Sequence, residues 1–234
     1  MENLLSQQGM YYLVKWVHFL SGVTWIGHLY YFNFVQGAFF AEIEAGTKNV
    51  AIQKLVPKAL WWFRWGAMFT LISGLIMLMM MGHMGGFVEA YTQPWGVKIL
   101  VGALLGILMF LNVWLIIWPN QKVVIASANQ VIGGGQALPA AAASAARAGL
   151  ASRTNVLFSI PMLFFMGAAR NVPHVFADPT SAQWTFWIPT LVLILALEGN
   201  ALKGKMGPMA TVKGVITSGF GLTVVLYGMF LALT

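Results

Sequence analysis

Long apolar runs separated by short polar breaks dominate the chain. A helix needs about 20 largely apolar residues to cross the hydrocarbon core of a bilayer, and six segments qualify: residues 11–36, 60–81, 95–118, 154–171, 184–201 and 211–233. The fourth is short and carries Pro161, which removes a helical hydrogen bond and is expected to kink it. The fifth runs into Glu198 and Asn200. The longest soluble stretch is residues 120–152, where Gly133-Gly134-Gly135 reads as a flexible break and Pro139 suits the first turn of an Ala-rich helix running toward Arg153. The pattern predicts an all-α fold, a polytopic transmembrane bundle of about six helices forming one membrane domain over residues 1–234.

Composition agrees. Of 234 residues, 59% are hydrophobic and 8% charged, where a soluble domain carries roughly a quarter charged residues. Lys and Arg are unevenly placed. Lys48, Lys54, Lys58 and Arg64 follow the first segment, Lys122, Arg147 and Arg153 the third, and Lys203, Lys205 and Lys213 the fifth; only Lys15, Lys98 and Arg170 fall on the other side. The positive-inside rule therefore puts both termini outside the cytoplasm. Membrane lipid is the partner expected for the +7 net charge, and nucleic acid is excluded because no basic stripe with interleaved aromatics lies outside the apolar segments. The lack of cysteine excludes disulfides, iron–sulfur ligation and covalent c-type haem. Met1 to Met10 holds no Lys or Arg, so no cleavable signal peptide is expected. Trp61, Trp62, Trp65, Trp95, Trp114, Trp118, Trp184 and Trp187 sit at segment ends, as interfacial tryptophans do. Gly102-x-x-x-Gly106 reads as a packing motif, and the triple glycine lacks the GK[ST] ending of a phosphate loop.

Candidate chemistry rests on four histidines: His18 and His28 in the first segment, His83 after the second, and His174 after the fourth. Ionisable groups inside a membrane are costly, which makes a functional site the default reading; the bland alternative is a histidine bonded to a neighbouring helix. Imidazole is a common axial ligand of haem iron. His18 and His28 are ten residues apart, roughly 15 Å along a helix and about 80° around it, so they cannot ligate one iron. His18, His83 and His174 all lie toward the outer side. A haem-iron site of His18 with His83 or His174 is therefore expected there, with Gly22 one turn from His18 leaving room for a flat macrocycle. Met77, Met79, Met80, Met81 and Met84 around His83 offer thioethers but read mainly as apolar filler. Arg64 and Arg153 can meet a lipid or porphyrin carboxylate, with snorkelling as the plainer reading. Glu198 with Asn200 can relay protons or pair with Lys203, and exposure at the interface explains them as well.

The stretch His18-Phe-Leu-Ser-Gly22-Val-Thr-Trp25-Ile-Gly27, followed by Tyr30-Tyr31-Phe32-Asn33-Phe34, resembles the membrane domain of cytochrome-c-linked urate oxidases. So do Trp61-Trp62-Phe63-Arg64-Trp65-Gly66, Asn112-Val-Trp114, Trp118-Pro119-Asn120-Gln121-Lys122, Ala151-Ser152-Arg153-Thr154-Asn155 and Ser159-Ile-Pro161-Met162. The His18-to-Trp25 spacing is more distantly similar to the haem-binding bacterial protoporphyrinogen oxidase family, where the corresponding histidine is tied to b-type haem. The resemblance thus marks His18 as the leading ligand candidate and haem b as the cofactor. The urate oxidase proteins continue into a C-terminal cytochrome c domain, whereas this sequence ends at Thr234. The resemblance implies a multi-pass protein of the bacterial inner membrane, an electron-transfer module or the membrane part of an oxidoreductase. Its expected partners are an external cytochrome c or quinone and other membrane subunits. A non-catalytic accessory subunit is the alternative, and whether the chain itself catalyses a reaction is left open.

Overall fold

A computed structural model describes residues 4–178 and 183–234; part of the Met1 to Met10 stretch, residues 1–3, lies outside them. With no water in the hydrocarbon core, a spanning segment must satisfy its backbone polar groups internally, and the helix does so. The described residues are helical throughout their apolar runs and contain no strand. In order they form α1 (Gln7–Tyr30), α2 (Gly37–Glu42), α3 (Ala45–Lys54), α4 (Val56–Gly85), α5 (Phe87–Thr92), α6 (Pro94–Leu111), α7 (Trp118–Ile132), α8 (Ala141–Asn171), α9 (Trp184–Lys203) and α10 (Val212–Leu233). Local chemistry sets several ends. The Ser6 hydroxyl accepts from the Gly9 N–H at 3.1 Å to cap α1, Thr211 does the same for α10 through Gly214, and Gly86, at φ +80°, stops α4.

Two π-helical turns, Tyr31–Gln36 and Asn112–Ile117, join α1 to α2 and α6 to α7 without a break. Residues 94–132 are thus one continuous rod, and α8 begins at Ala141. Most of the expected soluble stretch 120–152 is therefore helix, extending the third and fourth apolar segments, with only residues 133–140 between them. The fourth segment, expected to be short, belongs to a 31-residue helix that retains Pro161.

Among the described residues five helices are long and apolar enough to cross a membrane: Val56–Gly85, Pro94–Ile132, Ala141–Asn171, Trp184–Lys203 and Val212–Leu233. The protein is a helical membrane bundle. α1, the sixth expected span, is not among the five, since Lys15, His18, Ser21, Thr24 and His28 dilute its apolar character. It nevertheless runs antiparallel along α4, where the Gly66 position lies 3.0 Å from the Trp25 backbone N and 3.3 Å from the Ser21 carbonyl, measured from where a Cβ would stand. α8 is the central helix, 61% buried in its apolar window against 28–33% for the other four.

The distribution of side chains is that of a protein in lipid. Val23, Leu115, Val192 and Val224 are more than half exposed, whereas Asn112, Thr154, Asn155, Ser159 and Thr190 are fully buried. Small residues let helices approach, as lipid-embedded packing requires. Met166 and Met162 of α8 lie against Gly102 and Gly106 of α6, and Ile160 lies against Gly219 of α10.

Candidate functional site

A cavity of about 510 Å³ opens between α1, α4, α6 and α8, with Tyr91 of α5 at its edge. That volume lies within the range of small-molecule and cofactor sites. Its wall is apolar apart from a few groups, notably His18, Thr70, Tyr11 and Tyr91, and it includes Gly22, Gly74, Met77, Met81, Met162 and Met166.

The orientation of His18 follows from the α1–α4 register. Trp25 meets Gly66, and seven residues back along α1 and seven forward along α4 the His18 ring meets Ser73 and Gly74. Its Nδ1 is 3.1 Å from the Ser73 hydroxyl. That hydroxyl has one proton, which it directs at its own helix: the Phe69 carbonyl is 2.5 Å away and the Thr70 carbonyl 3.1 Å. Toward His18 it can therefore only accept, so Nδ1 carries the imidazole proton and Nε2 keeps its lone pair. Gly74 makes room for this contact, because a Cβ there would stand 3.1 Å from His18 Cε1. At Gly22, by contrast, an added Cβ meets nothing within 4 Å.

The other expected site residues are elsewhere. His83 is exposed near the end of α4, ten residues or about 15 Å of helix beyond Ser73. His28 is bonded to its own helix, Nδ1 donating to the Thr24 carbonyl at 2.7 Å. His174 sits in the α8–α9 connection, its Nε2 3.0 Å from the Thr234 hydroxyl and its ring against Phe230 and Phe176. Burial, and secondarily the charge of Lys98, pushes its pKa below the usual histidine value. Arg64 stacks on Trp118, 3.5 Å from the ring centroid, and donates from Nε to the Leu60 carbonyl. The expected outer histidine cluster is thus not assembled: of His18, His83, His28, His174, Gly22 and Arg64, only His18 and Gly22 line the cavity.

What the wall offers a haem is one imidazole with a free Nε2 and methionine thioethers on two helices, α4 and α8. Haem iron takes either a single imidazole or a Met/His pair, so this donor set fits a haem with one histidine ligand and does not supply two. Trp25, also in the wall, has a buried indole N–H with no acceptor, which a polar edge of a ligand can satisfy. Sequence reasoning missed Ser73 and gave Met162 and Met166 no role at the site.

A comparison with known families bears on the same region. Residues 86–198 match the family described as urate oxidase N-terminal. The matched stretch takes in α6, α7, α8 and most of α9, and so includes two of the cavity's walls. No curated protein and no solved structure matches the chain.

Proposed function

We propose that this membrane module of the urate oxidase N-terminal type binds b-type haem in the α1/α4/α6/α8 cavity, with His18 Nε2 as the protein ligand, and serves as the electron-transfer part of a membrane oxidoreductase. The observation that carries this reading is the hydrogen bond to Ser73, which leaves an iron-competent nitrogen in the wall of an apolar cavity. When bound, haem supplies a one-electron carrier. The chain's own residues hold and shield it. Ser73 fixes the ring of His18, Gly74 makes room for that ring, Gly22 leaves the cavity open on α1, and the apolar wall excludes water. With α1 counted as the companion pass of α4, the passes are even in number. Both termini then share one side, which the Lys and Arg distribution makes the outside of a bacterial inner membrane, where an external cytochrome c or a membrane quinone exchanges electrons with the module.

The test is a reduced-minus-oxidised spectrum of the purified protein with its haem content, for wild type and His18→Ala. A b-type band lost or strongly perturbed in the variant supports the reading; a normal spectrum in His18→Ala overturns the ligand assignment. A second reading is favoured by the acceptor character of Nε2, which suits a quinol hydroxyl donating to it. In that case wild type shows no haem band, and added quinol binds in a His18-dependent manner. Neither response would leave the accessory-subunit role.

A further inference from the structure

Away from the cavity, the π-helical turn Asn112–Ile117 carries a second polar site. Asn112 is fully buried, and its Nδ2 donates to Asn155 Oδ1 at 3.0 Å and to Glu198 Oε2 at 3.1 Å. Asn155, also fully buried, donates from Nδ2 to the Met109 carbonyl at 2.9 Å. The remaining oxygen of Asn112, Oδ1, is buried with no donor. Glu198 is the one acidic residue within the five apolar spans. π-helical turns are uncommon and concentrate at functional sites, and an ionisable side chain within a span is costly unless its charge is matched or removed.

Among the described residues no countercharge is paired with it. The cations on its own helix and on the elements around it are Lys203, Lys205 just after α9, Arg147, Arg153 and Arg170 of α8, Lys213 of α10, Lys98 and Lys122 of the α6–α7 rod, and Arg64 of α4, which stacks on Trp114 and Trp118. Among the described residues none forms an ion pair with Glu198. Lys203, a pairing that the sequence left open beside proton relay, does not pair with it. Arg153 is two residues before Asn155, about 200° around α8 from it. Hydrogen-bond chemistry then distinguishes the two forms of the carboxyl. An ionised carboxylate only accepts, so it takes the Asn112 N–H and leaves Oδ1 of the same amide without a partner. A protonated carboxyl has an O–H to give beside that oxygen, and an unmet buried acceptor is costly. The site has one carboxyl and one free amide oxygen, well short of the six or more oxygens that Mg²⁺ or Ca²⁺ gathers.

We infer that Glu198, held by Asn112 and Asn155, is a proton-binding site inside the membrane, loaded from the α9 end at Lys203. It does not depend on what fills the cavity. The test is pH-difference infrared spectroscopy of the purified chain in lipid nanodiscs, with no cofactor added. A protonated carboxylic-acid carbonyl band is expected at neutral pH, lost in Glu198→Gln and shifted in Asn112→Leu. Should Glu198→Gln fail to fold, Glu198→Asp retains an acid and is expected to shift the band. The same band surviving unchanged in the Glu198 variants, no acid carbonyl at neutral pH, or loss of the band on adding sodium at constant pH would each overturn the inference.

Discussion

Ser73→Ala isolates the group that fixes His18 without touching the ligand itself. The change removes one hydroxyl oxygen from a nearly buried position and adds no volume. The Phe69 and Thr70 carbonyls keep their helical partners, so the loss falls on His18, whose Nδ1–H gives up the Ser73 oxygen and is left with the Thr70 backbone alone. A buried donor left wholly unmet costs about 1–3 kcal/mol, which bounds the loss from above. At 1.4 kcal/mol per factor of ten that is about 5- to 150-fold, overlapping the 10- to 100-fold typical of groups that orient a metal's ligand. Without Ser73 the proton is also free to sit on Nε2, where it competes with iron. Titrating haem into the apoprotein in detergent and following its absorption should give an affinity lowered about 10- to 100-fold, with binding retained, while His18→Ala loses it. An unchanged affinity in a folded Ser73→Ala protein would refute the tautomer argument.

Three further outcomes are expected. Gly66→Ala should destabilise the bundle by about 1–3 kcal/mol, because its Cβ would meet the α1 backbone at 3.0 Å, whereas Gly22→Ala meets nothing and should be neutral or slightly stabilising; denaturant unfolding in detergent compares them, and equal stability contradicts the α1–α4 register. His174 has a depressed pKa in the folded protein, so the stability tied to its neutral form is present above the ordinary value of 6.5 and declines as pH falls through the lower folded value; thermal unfolding should show this acid-side loss in wild type and a smaller one in His174→Gln. Cysteines placed singly at Lys54 and Lys203 should resist an impermeant thiol reagent added outside intact cells, and labelling from outside would reverse the topology.

The membrane character and the helix positions were legible because hydrocarbon imposes length and apolarity on any span. Reading by apolarity also has a blind spot: it ends helices where the bilayer ends, so residues 120–132, polar yet helical, read as soluble chain, and the Ala-rich helix expected after Pro139 was legible but not its continuity with the fourth span. The site was half legible. His18 stands out as an ionisable residue in an apolar run, and Gly22 as its neighbour one turn on. Ser73 does not, being one hydroxyl in Thr70-Leu-Ile-Ser73-Gly74; it gains meaning only once the helices are in register, with Gly66 against Trp25. His83 and His174 drew attention by residue type and by side of the membrane, but a shared side fixes only depth. Lateral position comes from packing, which sends His83 to the surface and His174 to Thr234. Glu198 was visible as a charge near a span's end, while its partner Asn112 lies 86 positions away.

The central claim, that His18 Nε2 is the haem ligand, is tested most directly by cavity complementation. His18→Gly should yield a folded protein lacking the wild-type haem spectrum, and free imidazole, entering the space vacated by the ring, should restore it, whereas a non-ligating compound of similar size should not. A wild type that binds no haem, or a His18→Gly protein that keeps the full b-type spectrum without imidazole, would contradict it.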